Sequence, residues 1–178
     1  MGRGNIFLVG MMGAGKTTLG KALALRLRRE FFDTDRVLVD RTGVTVSTIF
    51  EIEGEPGFRR REALALAELA QRSDCVIATG GGIVLAPENR QAMRSSGTVI
   101  YLRARLESLW ERTRHDTTRP LLATPDPRGT LQRLLQERDP LYREAAHIVV
   151  ETGSQSAATL LNRVAAAVRS HESASSTR

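Results

Sequence analysis

The sequence GMMGAGKTT at residues 10–18 constrains this chain more than any other stretch. It matches the phosphate-binding loop pattern G-x-x-x-x-G-K-[ST] at every fixed position. The apolar run at residues 6–9 precedes it, as expected of a buried parallel strand. Apolar residues at helical spacing follow it, including Leu19, Leu23 and Leu27. Strand, glycine loop and helix therefore occur in the order that a nucleotide-binding βα unit requires.

The residue types of this loop explain how it would bind a phosphate. Its glycines permit backbone conformations closed to other residues, so N–H groups can converge on an anion at the positive end of the helix. Lys16 would reach the β- and γ-phosphates, and the Thr17 hydroxyl would bind Mg²⁺. The alternative is a glycine-rich turn before a helix. The candidate nucleotide-binding residues of the loop are Gly13, Ala14, Gly15, Lys16, Thr17 and Thr18.

Composition is typical of a globular protein of one domain. The chain has 178 residues, of which 41% are hydrophobic and 26% charged. It shows no membrane-length apolar run and no signal-peptide core, and its single cysteine, Cys75, excludes an internal disulfide. We therefore expect a cytoplasmic protein without a membrane partner. With no long heptad pattern, we also expect a monomer.

The net charge of +6 raises the alternative of nucleic-acid binding. However, no basic run reaches five residues, and aromatic residues make up only 4% of the chain, which leaves little for base stacking. A nucleotide and an acidic substrate are both anions and account for much of the same bias. We therefore expect no nucleic-acid partner.

Strands and helices are predicted to alternate, which favours an α/β fold with a parallel sheet covered on both faces. We expect one domain at residues 1–170 and a flexible Ser-rich tail at 171–178. The predicted strands are 5–9, 31–33, 74–79, 98–102 and 147–150. We also expect a loop at 53–57 and a helix from Leu131 to Ala146 that is interrupted at Asp139-Pro140.

Two segments carry candidate charged ligands. Asp33 and Asp35 follow the second predicted strand, where open α/β sheets bind ligands. The alternative is that Asp35 caps the next helix, and both roles can hold together. The arginines at 59–61 are predicted to open a helix, where positive charge opposes the helix dipole. We therefore expect at least one of them to bind an anion, and at least one to form a solvated face.

Two further segments have a composition that suits a binding site. The first would let the backbone approach a ligand closely, and the second would form a mobile lid. Gly80-Gly81-Gly82 ends the third predicted strand, beside the phosphate loop if the sheet is parallel. Residues 114–128 combine prolines with polar residues and show little periodicity, which predicts a mobile lid that contains Arg119.

Six motifs in order resemble shikimate kinase over roughly residues 5–168. They are residues 10–18, Asp33-Thr34-Asp35, Phe58-Arg59-Arg60-Arg61-Glu62, Thr79-Gly80-Gly81-Gly82, Arg119-Pro120-Leu121-Leu122 and Leu141-Tyr142-Arg143. The resemblance implies a three-layer P-loop kinase fold, like that of nucleoside monophosphate kinases, with a five-stranded parallel sheet. It implies transfer of the γ-phosphoryl group of ATP to the 3-hydroxyl of shikimate, with Mg²⁺ as cofactor, in the synthesis of chorismate and the aromatic amino acids.

The resemblance also implies roles on the nucleotide side. Lys16 and the loop amides would hold phosphates, Thr17 would bind Mg²⁺, and Asp33 would hold the metal through water. Arg112 matches a position that packs against adenine, and Arg119 would descend from the lid onto the transferring phosphate. The third strand ends in Thr79-Gly80 without the usual metal-binding carboxylate.

On the acceptor side, the resemblance implies that Asp35 binds the shikimate hydroxyls and acts as the base. Arg59 and Arg143 would clamp the substrate carboxylate, while Gly81 and Gly82 would offer backbone N–H groups. The substrate-binding segment would span residues 33–62.

Two other functions remain open at this point. A kinase of the same fold could act on another small hydroxy acid such as gluconate. A regulatory domain could bind ATP or nucleic acid without turnover, although such a module would have no need of both a phosphate loop and the full set of acceptor-side charges.

Overall fold

Five strands and seven helices alternate along residues 4–176, the part of the chain that the computed structural model describes. The strands are β1 (Asn5–Val9), β2 (Glu30–Asp33), β3 (Cys75–Ala78), β4 (Gly97–Arg103) and β5 (Ile148–Glu151). The helices are α1 (Lys16–Leu27), α2 (Thr34–Thr42), α3 (Val46–Ala70), α4 (Pro87–Ser96), α5 (Leu106–Thr113), α6 (Pro127–Ala145) and α7 (Ala157–Ser176). Short 3-10 turns lie at Ile83–Leu85 and Pro120–Leu122.

The strands form one sheet in the order β2-β3-β1-β4-β5, and every neighbouring pair is parallel. β1 lies at the centre and all of its residues are buried. Helices flank the sheet: α1 packs with α7, while α4 packs with α3 and α6. The predicted fold, a five-stranded parallel sheet flanked by helices, is therefore confirmed.

This strand order brings three predicted ligand-binding segments to one edge of the sheet. β1, β3 and β2 lie side by side, with Leu8 paired to Ala78 and Ala78 paired to Asp33. The Thr79 hydroxyl donates a hydrogen bond of 2.8 Å to the Leu8 carbonyl, which fixes the end of β3 against β1. The phosphate loop, the 80–82 glycines and Asp33 therefore start from adjacent strand ends, as expected for open α/β sheets.

The predicted interruption at 53–57 is present but shorter than predicted. Only Gly54 departs from helical geometry, with φ of 68° and ψ of 178°, so α3 consists of two helical parts joined at a kink. A glycine tolerates that φ, so one residue is enough to kink the helix. The helix begins at the Thr45 cap, whose side chain accepts a hydrogen bond from the Thr48 N–H. Consequently the arginines at 59–61 lie inside α3 and do not open it.

Two other predicted boundaries also differ from the structure. α6 runs unbroken through Pro140, because residues on both sides of the proline, among them Leu134 and Tyr142, are buried against the core. α7 continues to Ser176, so residues 171–176 of the predicted flexible tail are helical, while 177–178 lie outside the described residues. No helix within residues 4–176 is long and apolar enough to cross a bilayer.

Candidate active site

Two cavities meet at the carboxyl edge of the sheet. One, of about 270 Å³, follows the phosphate loop and is lined by Lys16 and Thr17 among others. The other, of about 490 Å³, lies between the start of α3, the 80–82 glycines and the lid. Both cavities share a set of lining residues, namely Met12, Asp35, Gly80, Gly81 and Arg119. A group held in the first cavity can therefore face a molecule held in the second.

The Lys16 ammonium lies folded back over the phosphate loop. It donates hydrogen bonds to the carbonyl oxygens of Gly10, at 2.7 Å, and of Met11, at 2.8 Å. Burial lowers the pKa of Lys16 to about 8, since a low-dielectric surrounding disfavours the charged form. A polyanion bound in this cavity would restore the preference for the ammonium form.

Thr17 and Asp33 form the candidate metal position. The Thr17 hydroxyl donates a hydrogen bond of 2.6 Å to Asp33 Oδ2, while Asp33 Oδ1 accepts from the N–H groups of Asp35 and Arg36. Asp33 therefore caps α2, and the predicted alternative that Asp35 caps this helix is wrong. Mg²⁺ keeps several waters and takes few protein oxygens, so one hydroxyl beside one fixed carboxylate fits this ion.

Two carboxylates face each other at the floor of the larger cavity. Asp35 Oδ1 and Glu62 Oε1 are buried and have no hydrogen-bond partner among the described residues. Burial raises the pKa of both carboxyl groups; nearby Asp33 raises the pKa of Asp35 further, and Asp35 raises that of Glu62. A Cβ added to Gly80 would overlap Glu62 Oε1 and come within 3.2 Å of Asp35 Oδ1. Glycine is required here because these two side chains fill the space.

Arg59 lies in the same cavity and is held by its own helix. Its Nη1 donates to Glu62 Oε2 at 2.8 Å, and its Nη2 donates to Glu55 Oε1 at 3.2 Å. The guanidinium lies against the backbone of Gly82, where a Cβ would overlap it. Of the three arginines at 59–61, Arg59 therefore faces the cavity, while Arg61 pairs with Glu53 on the exposed side.

Besides Arg59 and the lid residue Arg119, the larger cavity is lined by Arg138, and the prediction of Arg143 as the carboxylate clamp is wrong. Arg138 is 2% exposed, lines the cavity, and its Nε has no partner among the described residues. Arg143 does not line the cavity. Its side chain is 45% exposed, and its Nε donates to Asp139 Oδ2 at 2.8 Å.

A sequence signal for Arg138 exists. The buried residues of α6 are Leu131, Leu134, Arg138, Tyr142 and Ala145, which share one face of the helix at the spacing expected for an apolar stripe. An arginine on that face has to be buried, and a buried guanidinium needs an anionic partner. Arg143 follows Tyr142 directly and falls outside the stripe.

The lid covers both cavities. Arg119 lines the two of them, and its Nε donates to Asp116 Oδ2 at 3.0 Å. The lid contacts the start of α3 through a bond of 3.4 Å from the Ser47 hydroxyl to the Thr118 carbonyl. On the nucleotide side, Arg112 lines the smaller cavity and donates to the Gly13 carbonyl at 2.9 Å.

A phosphate loop that adjoins an arginine-lined acceptor cavity under a lid that carries Arg119 defines a small-molecule P-loop kinase. The family model described as shikimate kinase matches residues 12–169. The chain belongs to the shikimate kinase family.

Individual relatives agree with this assignment. The shikimate kinase of Bordetella pertussis is 59% identical over 167 residues, covering 94% of this chain and 79% of the relative. The structure of shikimate kinase from Acinetobacter baumannii in complex with shikimate is 46% identical, with a TM-score of 0.92, and the match covers 95% of this chain and 94% of that one.

A gluconokinase from Sinorhizobium meliloti shares the fold. Its structure matches with a TM-score of 0.60 at 19% identity, covering 96% of this chain and 94% of that one. At such an identity the likeness concerns the architecture alone. The choice of acceptor has to come from the cavity and from the nearer relatives.

Proposed function

We propose that this protein transfers the γ-phosphoryl group of ATP to the 3-hydroxyl of shikimate, giving shikimate 3-phosphate and ADP. The observation that carries the proposal is the composition of the larger cavity. It places two guanidinium groups, of Arg59 and Arg138, across from the Asp35 carboxylate. That arrangement is complementary to a small molecule with a carboxylate at one end and hydroxyls at the other.

The two arginines account for recognition of the carboxylate. A guanidinium presents parallel N–H donors that match a carboxylate, and Arg59 is already held in place by Glu55 and Glu62. The buried Arg138 Nε, which has no partner among the described residues, is a donor ready for such an anion. The N–H groups of Gly81 and Gly82 lie in the same cavity wall and would add backbone donors.

Asp35 accounts for recognition of the reacting hydroxyl. Its buried Oδ1 lacks a partner among residues 4–176, and a carboxylate can accept a hydrogen bond from a hydroxyl group. It lines both cavities, so a hydroxyl bound to it faces the nucleotide phosphates. Asp35 orients the hydroxyl and takes its proton late, as the new P–O bond forms and the bond to the β-phosphate oxygen breaks.

The residues of the smaller cavity explain how the nucleotide would bind. Lys16 and the loop N–H groups hold the phosphates, and Arg112 lies where it can pack against the base. Thr17 and Asp33 would hold Mg²⁺, which neutralises phosphate charge when bound. Arg119 reaches the same phosphates from the lid. Closure of the lid excludes water, which would otherwise compete for the γ-phosphoryl group.

The proposal extends to two properties of the whole protein. A biosynthetic kinase of this kind would act in the cytoplasm. We also propose that it acts as a monomer, since its sequence has no long heptad pattern. Light scattering of the purified protein at assay concentrations, with and without substrates, tests whether the protein is a monomer.

The deciding experiment is a coupled assay of ADP release with Mg-ATP and one of three acceptor conditions: shikimate, gluconate or none. We expect ADP release with shikimate only, and a single phosphorylated product with the phosphate on the 3-hydroxyl by phosphorus and proton NMR. ADP release with gluconate would mean that the protein is a kinase with a different acceptor. ATP binding without ADP release under any condition would mean that the protein is a binding domain and not an enzyme.

A further inference from the structure

Asp116, another charged residue of the lid, contacts both Arg119 and Thr118. Asp116 Oδ2 accepts the hydrogen bond of 3.0 Å from Arg119 Nε, and Asp116 Oδ1 accepts from the N–H of Thr118 at 2.9 Å and from its hydroxyl. Hydrogen bonds from Thr118 hold the pKa of Asp116 below its usual range, followed in effect by the contact with Arg119. The carboxylate is therefore charged whenever the enzyme works near neutral pH.

We infer that Asp116 is a positioning residue for phosphoryl transfer, which holds the Arg119 guanidinium in the direction of the transferring phosphate. This inference rests on the proposed function for the identity of the acceptor. It assigns Asp116 no contact with either substrate.

The geometry of a guanidinium explains how a contact at one nitrogen has this effect. The group is planar and rigid, so fixing Nε fixes the direction of both terminal nitrogens. Among residues 4–176, the hydrogen bond of Arg119 to protein runs through Nε, which leaves the Nη1 and Nη2 pair available. Arg119 lines both cavities, so this pair is placed at their junction.

The position of Arg119 makes such a support necessary. The residue lies between α5 and the 3-10 turn at Pro120–Leu122, in a segment without a regular helix or strand. A long side chain on such a loop has many rotamers, and selecting one of them during the reaction would slow it. Asp116 and Thr118 form a local turn that selects the rotamer before the substrates react.

The variant Asp116→Asn isolates the charged contact from the turn. Asparagine Oδ1 can still accept from the Thr118 N–H, so the turn is retained while the charge opposite Arg119 is lost. We expect kcat to fall about tenfold, with KM for shikimate within about twofold, since misplacement of one catalytic group costs on the order of ten- to hundredfold. The matched control is Asp126→Asn, which removes the same charge from the predicted lid segment at a carboxylate that caps α6 through Gly129. Its kcat should equal that of the wild type.

A double-mutant cycle separates positioning from a general effect on the lid. In an Arg119→Ala background, Asp116→Asn should lower kcat no further, because the side chain that it positions is gone. An equal loss of kcat in both backgrounds would overturn the inference. So would an increase of kcat in Asp116→Asn alone, which would mean that the carboxylate competes with the phosphate for Arg119.

The hydrogen bond between Arg119 and Asp116 can also be measured without turnover, by NMR. In protein labelled with ¹⁵N-arginine, the Arg119 Nε–H resonance is identified by its loss in Arg119→Lys. We expect slow solvent exchange of this hydrogen in the wild type and in Asp126→Asn, and fast exchange in Asp116→Asn. Equal exchange in all three proteins would overturn the inference whichever acceptor the enzyme uses, while absence of shikimate turnover in the wild type would overturn only the proposed function.

Discussion

The Tyr142 hydroxyl donates a hydrogen bond of 2.5 Å to the carbonyl oxygen of Gly81. Tyr142 is fully buried, and burial raises its pKa to about 12, so the hydroxyl remains protonated at working pH. The bond ties α6, which carries Arg138, to the glycine segment that forms the facing wall of the acceptor cavity. One hydroxyl therefore sets the spacing between two parts of the acceptor site.

The variant Tyr142→Phe should raise KM for shikimate about five- to tenfold, because the Gly81 segment would no longer be held at its distance from Arg138; that change corresponds to a loss of about 1–1.4 kcal/mol, the size of one hydrogen bond. Steady-state kinetics with shikimate varied at saturating ATP measures this. The control is Tyr101→Phe. Tyr101 stacks on Tyr142 at 4.9 Å but donates to Asp139, so its loss should lower stability and leave KM unchanged. Equal KM values in both variants would contradict the role given to Tyr142.

The buried Lys16 predicts an alkaline limit for nucleotide binding. Its pKa is lowered from 10.5 to about 8 in the free protein, so the ammonium that pairs with phosphates is lost as pH rises through about 8. kcat/KM for ATP, which reports the free enzyme, should therefore fall about tenfold per pH unit above that value. The kcat profile should turn down at higher pH, because bound phosphates favour the charged form. A kcat/KM for ATP that stays constant to about pH 9.5 would contradict this assignment.

Asp35 illustrates a conflict between activity and stability. Burial raises its pKa above 3.8, so the ionised form is disfavoured by the fold at neutral pH and Asp35 lowers stability there. Asp35→Asn should abolish turnover and raise Tm by about 2–4 °C at pH 7, since 1 kcal/mol corresponds to about that shift for a protein of this size. The gain should shrink as pH falls towards the pKa of Asp35, where the wild-type group takes up a proton.

The control for this comparison is Asp40→Asn, which removes an exposed carboxylate from the same helix. Among residues 4–176, the ion pair of Asp40 is with Arg36 on the surface, so its loss should not raise Tm. If Asp35→Asn lowered Tm by differential scanning fluorimetry, Asp35 would not be a strained buried charge. If the variant kept near-native turnover, Asp35 would not be a catalytic group.

The central part of the fold could be predicted from the sequence because local chemistry decides it. The phosphate loop pattern, the apolar run before it and the helical spacing after it agree with each other, and β1 and α1 follow. The loop expected at 53–57 shows the limit of such reasoning. Glycine and proline there indicate a break, and the break occurs at Gly54, but it takes one residue and the neighbouring residues remain helical.

The acceptor site could be predicted only in part. Asp35 and Arg59 stand in short motifs, and the structure brings both into the cavity. Sequence reasoning selected Arg143 and missed Arg138 because a motif match selects residues that are adjacent in sequence. Burial depends instead on the face of α6 on which each residue lies. Glu62 was missed as a functional residue for a similar reason, since its importance arises from contact with Arg59 and proximity to Asp35 in space.

The most direct test of the acceptor site is kcat/KM for shikimate, measured by ADP release in the wild type, Arg138→Ala and Arg143→Ala. We expect turnover in the wild type, a loss of about 30- to 150-fold in Arg138→Ala, since a charged hydrogen-bonded clamp contributes about 2–3 kcal/mol, and a change within about twofold in Arg143→Ala. Circular dichroism confirms that both variants are folded. Equal losses in both variants, or a loss confined to Arg143→Ala, would contradict the site described here.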